Sequence, residues 1–166
     1  MIKKIFIIVA IMLTSIGLDA QTIGRGMNRP GKSQSPAAAT WSAAVRMTGA
    51  KSGVLDLTLV PAKGWHIYGP EVGENGPRPM SINLSKSTGI KLKGNLTFSV
   101  APVKKHDDMF GIDVTYWETK VVISQRFEVT DRKAAKLIGT VSYQGCNEST
   151  CTPPQKYEIN LAIPTK

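Results

Sequence analysis

Hydrophobic and polar residues alternate with a period of two along most of the chain from Trp41 onward. Trp41, Ala43, Val45 and Met47 share one side of an extended segment whose other side is more polar. Leu55, Leu57 and Leu59 repeat the pattern up to Pro61. Met80, Ile82 and Leu84 form another candidate strand, and Leu96, Phe98 and Val100 a third. Thr119 to Val129 is long and β-branched, Leu137, Val141 and Tyr143 share a side, and Tyr157, Ile159, Leu161 and Ile163 close the pattern. Only Asp131 to Leu137, DRKAAKL, has helical composition, and it is too short for more than a single turn. Seven or more short strands separated by turn residues predict an all-β fold, an antiparallel β-sandwich of immunoglobulin type, with a barrel as the alternative. No repeat recurs at a fixed period, which argues against a solenoid or propeller.

Two stretches break the alternation. Gly69 to Pro79, GPEVGENGPRP, carries three prolines and three glycines and reads as irregular. Just before it stands an aromatic cluster, Gly64 to Tyr68 (GWHIY), which either packs at a strand end or forms a recognition surface. In the second stretch, Lys104 to Gly111 (KKHDDMFG), polar residues flank the apolar pair Met109 and Phe110. Apolar residues at the tip of a polar loop need a partner, either their own domain or another protein.

The N-terminus changes the compartment. Lys3 and Lys4 precede an apolar run, Ile5 to Leu18, and Ala20 is a small residue suited to cleavage, so residues 1–20 read as a secretory signal peptide. The run is 14 residues, short of the roughly 20 needed to span a bilayer as a helix, and no cysteine follows it to carry a lipid anchor. Cleavage removes two lysines and one aspartate and leaves 146 residues with a formal charge of +8, enough chain for one domain with a core. Residues 21–40, rich in Gly, Pro, Ser and Ala, read as a flexible linker, and residues 41–166 as the folded domain. The basic balance and scattered lysines fit a solvated surface better than a nucleic-acid site. The cleaved product is expected to be periplasmic and not embedded in the membrane.

The candidate chemistry lies in YQGCNESTCTPP, Tyr143 to Pro154, which holds the two cysteines of the chain, Cys146 and Cys151. In an oxidising compartment such a pair forms a bridge with itself. The loop it closes is short, so as a staple it contributes only about 2 kcal/mol in the chain-entropy description. Three readings of the residues stand side by side. The pair exchanges electrons through a mixed disulfide, it is a passive local staple, or with His66 and His106 it makes a four-ligand zinc site. The spacing is C-x4-C with no helix following, unlike the C-x-x-C at a helix N-terminus that lowers a thiol pKa. No G-x-S-x-G, H-E-x-x-H or phosphate-cradling glycine loop is present, so hydrolase and nucleotide chemistry are not indicated.

Taken together, these segments resemble the N-terminal periplasmic domain of the thiol:disulfide interchange protein DsbD. The cysteine motif with its trailing prolines is the most specific part. GWHIY with its Gly/Pro loop, HDDMFG and TKVVISQRFEV follow in the family's order, and the resemblance spans roughly Trp41 to Ile163. It implies an immunoglobulin-like sandwich and a protein-disulfide reductase component with no cofactor or metal. By that resemblance Cys151 forms the mixed disulfide and Cys146 resolves it, Met109 and Phe110 form a cap with Asp107 and Asp108 beside the sulfurs, and Tyr68 and His66 line the site. The implied partners are thioredoxin-like periplasmic proteins and a membrane electron carrier. Two departures are visible. Four residues separate the cysteines where the best-known members have five, and Met109 falls where an aromatic cap residue is expected. The family's full-length protein also has a membrane electron carrier and a thioredoxin-like domain, so this chain is expected to draw its electrons from a separate reductant.

Overall fold

The computed structural model describes residues 37–108 and 110–164; the segments read as signal peptide and most of the linker lie outside them. Among the described residues eleven strands run in chain order: β1 (Ala39–Met47), β2 (Ser52–Pro61), β3 (His66–Val72), β4 (Ser81–Asn83), β5 (Ile90–Phe98), β6 (Val103–Asp107), β7 (Ile112–Trp117), β8 (Val121–Val129), β9 (Lys136–Tyr143), β10 (Gly145–Cys146) and β11 (Gln155–Ala162). They form three antiparallel sheets, ordered β1-β2-β8-β5, β10-β3-β7-β6 and β11-β9-β4. Among the described residues there is no α-helix; in DRKAAKL, Arg132 to Ala134 form a turn and Lys136 and Leu137 begin β9.

One buried cluster joins all three sheets. Leu55, Leu57 and Leu59 of β2 and Val121, Ile123 and Phe127 of β8 meet Ile67 of β3, Trp117 of β7, Leu137 and Val141 of β9 and Ile159 of β11. The period-two pattern places these side chains on one face of each strand, and burying that face is the main stabilising term of such a layer. The result is the expected all-β, immunoglobulin-like sandwich. Trp41, Ala43, Val45 and Met47 of β1 pack against the same core at its edge.

Three segments depart locally from the alternation, and two of them border the cysteines. The Gly/Pro stretch is not irregular at its start, because Gly69 to Val72 continue β3. The Thr115 hydroxyl makes this workable. It accepts from the Glu71 N–H at 3.2 Å and donates to the Glu71 carbonyl at 2.7 Å, standing in for ladder bonds where the register shifts between Tyr68 and Val72. A Cβ at Gly69 would lie 2.6 Å from that hydroxyl, so the approach needs glycine. Likewise Lys104 to Asp107 belong to β6, an edge strand paired only with β7, and Asp108, Phe110 and Gly111 lie in the turn before β7. An edge strand exposed on both faces carries no alternation to read, and its lysines suit an unpaired edge. Third, Val100 lies beyond the end of β5 and is exposed.

Candidate functional site

The second sheet has two apolar faces where a sandwich sheet normally has one. Ile67 and Trp117 point into the core, while Tyr68, Val114 and Cys146 form a separate buried cluster. An outward apolar face must be covered. Here the tip of the β6–β7 hairpin covers it: Phe110 packs against the cluster, as do Val72, Ile112, Tyr116 and Cys151. The Phe110 ring meets Tyr68 edge to face, centroids 6.4 Å apart.

The hairpin tip is tied down by a few hydrogen bonds. The Gly111 N–H donates to the Asp107 carbonyl at 2.7 Å, with Gly111 at a φ of 66° that favours glycine. Asp107 anchors both sides of the turn: its Oδ1 accepts from the Phe110 N–H at 3.4 Å, and its Oδ2 accepts from the Tyr68 hydroxyl at 2.9 Å. Burial and this carboxylate together push the Tyr68 phenol far above its ordinary pKa, so it stays a donor across the pH range of the domain.

Cys146 sits on β10, directly across from His66 of β3, and Cys151 faces it across an isolated bridge. The two are joined by a disulfide, with Cα atoms 4.0 Å apart. Cys146 is buried, and Cys151 is partly exposed. The loop between them is closed by its own hydrogen bonds. Asn147 Oδ1 accepts from the Ser149 and Thr150 N–H groups, and the Asn147 N–H donates to the Thr150 carbonyl. On the flanks the Thr152 N–H donates to the Gly145 carbonyl at 2.8 Å, and Gln144 Nε2 donates to the Thr152 carbonyl at 2.9 Å. Gln144 Oε1 also accepts from the Arg78 N–H, tying the Gly/Pro loop to the cysteine loop. The disulfide therefore crosses a turn that the backbone already holds.

A cavity of about 640 Å³ opens beside Cys146. Trp65, His66, Tyr68 and Tyr116 give it aromatic walls, and Asp107, Asp108, Glu118 and Glu148 give it a charged border. The His66 ring lies 5.0 Å from both Tyr68 and Tyr116. Burial lowers the His66 pKa, while Asp107 and Glu118 pull it back up and Lys105 adds to the lowering.

The structure thus gathers Cys146, Cys151, Tyr68, Phe110, His66, Asp107 and Asp108 around one face, and Met109 lies outside the described residues. His106 borders the cavity but pairs with Asp113 at 3.2 Å, and the two sulfurs are bonded to each other. Among the described residues no group of three or more His, Cys, Asp or Glu is placed to hold a metal ion. Four further residues were not singled out by sequence: Tyr116, Glu118, Glu148 and Gln144. Tyr116 had a signal in the alternation of Ile112, Val114 and Tyr116 along β7; the others depend on register and loop closure.

Residues 34–163 match the family described as thiol:disulfide interchange protein DsbD, N-terminal. The crystal structure of the N-terminal periplasmic domain of ScsB from Proteus mirabilis is similar, with a TM-score of 0.55 and 21% identity over 75% of this chain. The chain spans 46% of the length of that structure. The yeast GGA1 GAE domain has a TM-score of 0.42 and 12% identity, covering 75% of this chain and 91% of that one. The search of curated proteins found no match. The family match runs from before β1 to the end of β11 and includes the bonded cysteine pair, and the chain therefore belongs to the family of the DsbD N-terminal domain.

Proposed function

We propose that this domain is an exported thiol:disulfide interchange module, working in the periplasm, that relays electrons through Cys146 and Cys151. The observation that supports it best is the placement of the bridge. It spans a turn already closed by hydrogen bonds, on a face outside the main sandwich core, with Cys146 buried and Cys151 partly exposed. A bridge so placed contributes little as a staple and is open to exchange.

Starting from the oxidised state, a partner thiolate attacks Cys151 Sγ, the more accessible sulfur. The Cys146–Cys151 bond breaks, the partner–Cys151 bond forms, and Cys146 leaves as a thiolate that takes a proton. A second thiolate of the partner then attacks its own sulfur in the mixed disulfide and releases Cys151. Two electrons have moved to this domain, and the partner has become a disulfide. The reverse sequence reduces an oxidised exported protein. Phe110, with Met109 beside it, acts as a cap held by Asp107 and Tyr68, and Asp108 and His66 border the approach. Thioredoxin-like proteins and a membrane electron carrier are the partner classes this reading assigns.

Trapping tests it. A Cys146→Ser protein is mixed with a thioredoxin-like partner that keeps one active-site cysteine, presented as its thionitrobenzoate disulfide. The expected product is a covalent one-to-one adduct through Cys151 with release of the thionitrobenzoate anion, and a Cys151→Ser protein reacts at least about tenfold more slowly because its remaining thiol is buried. No adduct with either variant, or a faster reaction at Cys146, overturns the assignment.

A further inference from the structure

The cavity beside Cys146 is charged opposite to the chain as a whole. The full sequence carries a formal charge of +9. The cavity border holds four carboxylates, Asp107, Asp108, Glu118 and Glu148, against one lysine, Lys105. They come from three separate places: the tip of the β6–β7 hairpin, the residue after β7, and the turn between the cysteines. Convergence from three loops makes this a property of the mouth and not of one local run.

Three of the carboxylates are also open to solvent. Asp108, Glu118 and Glu148 are exposed, and among the described residues no lysine, arginine or histidine lies within ion-pair distance of them. Of the hairpin's two lysines, Lys104 pairs with Asp113, and Lys105 borders the cavity itself. Trp65, Tyr68, Val114 and Tyr116 line the opening behind this border.

This charge does not help the cysteines on their own. A thiolate must form for exchange, and surrounding carboxylates oppose it. The arrangement becomes favourable only when a partner brings positive charge to the mouth. We infer that the cavity is a docking surface for a protein whose reactive cysteine or disulfide is flanked by lysine or arginine, with the partner's cations meeting Glu118, Glu148 and Asp108. The inference rests on the interchange reading above and adds the chemistry of the partner. Opposite charge then both steers the encounter and relieves the penalty on the thiolate.

Three small disulfides of similar size serve as probes: cystamine, which is dicationic, 2-hydroxyethyl disulfide, which is neutral, and 3,3′-dithiodipropionate, which is dianionic. Each oxidises the reduced protein by the same balanced reaction, two protein thiols and one probe disulfide giving Cys146–Cys151 and two small thiols, and the loss of protein thiol is followed. Because the probes differ in intrinsic reactivity, the quantity compared is the cystamine to dithiodipropionate rate ratio. At low ionic strength the ratio for the native protein is expected to exceed that of the Glu118→Gln/Glu148→Gln variant by about fivefold or more. It is also expected to fall toward the variant's value as salt approaches about 0.5 M. A ratio that is equal in the two proteins, or one that does not respond to salt, overturns the inference. The neutral probe on the native protein keeps the two levels separate. If it oxidises the dithiol, the interchange reading stands whatever the charge result, and if it does not, that reading fails along with the inference.

Discussion

His66 shows how a single side chain ties the cysteine face to pH. It stands on β3 across from Cys146, between the rings of Tyr68 and Tyr116, with Asp107, Glu118 and Lys105 near enough to act on its charge. Burial holds its pKa below the ordinary value of 6.5. As pH falls through about 6.5, the unfolded chain takes up a proton that the native domain does not yet accept. The native state therefore loses stability as pH drops from about 7 toward the lower native pKa, and the loss stops once both states are protonated. Urea midpoints measured between about pH 8 and 5.5 should decline for the native protein and decline less for His66→Phe, which keeps the ring contacts. Equal declines would place the titration elsewhere. The cysteine pair could be read from residue type and spacing, whereas the expectation that His66, Tyr68 and Phe110 lie beside it came from the family resemblance. Glu118 and Glu148 could not, since an exposed glutamate acquires a role only through the strands that bring it to the cavity.

Among the elements, the β6–β7 hairpin and the cysteine turn are the ones the proposed exchange depends on. The hairpin tip lays Phe110 over an apolar patch that would otherwise face water. Replacing Phe110 with Ala should raise the rate at which a small thiol such as dithiothreitol reduces the Cys146–Cys151 bond. A ring contact of about 0.5–1.5 kcal/mol corresponds to an increase of about two- to tenfold, read from single-turnover kinetics. An unchanged rate would mean that the tip does not shield the pair. For the cysteine turn, simultaneous Cys146→Ser and Cys151→Ser replacement should leave the sandwich folded and cost no more than about 2 kcal/mol, because the loop is short and Asn147, Thr152 and Gln144 hold it independently. Circular dichroism and denaturant unfolding check both parts. Elements buried on one face, such as β2, β8 and β9, were legible because alternation is what burial on one side produces. Edge strand β6, exposed on both sides, and the bulged end of β3, held by Thr115, left no such trace.

At the scale of the whole molecule, one face of the β10-β3-β7-β6 sheet packs into the sandwich core and the other carries the separate cluster with the cysteine pair. The fold class was legible from the number of short strands and the lack of helical periodicity. The order of strands within the sheets was not, because pairing between segments far apart in sequence depends on contacts that no local window contains. That order is what brings β3, β7, β10 and the hairpin tip to one place. The proposed relay requires that the bridge at that place be exchangeable. The midpoint reduction potential of Cys146–Cys151, measured by equilibration in glutathione or dithiothreitol buffers, decides it most directly. An exchangeable pair lies above about −300 mV, which is the result expected here, and a value well below that, typical of structural bridges in secreted proteins, would contradict the proposed relay.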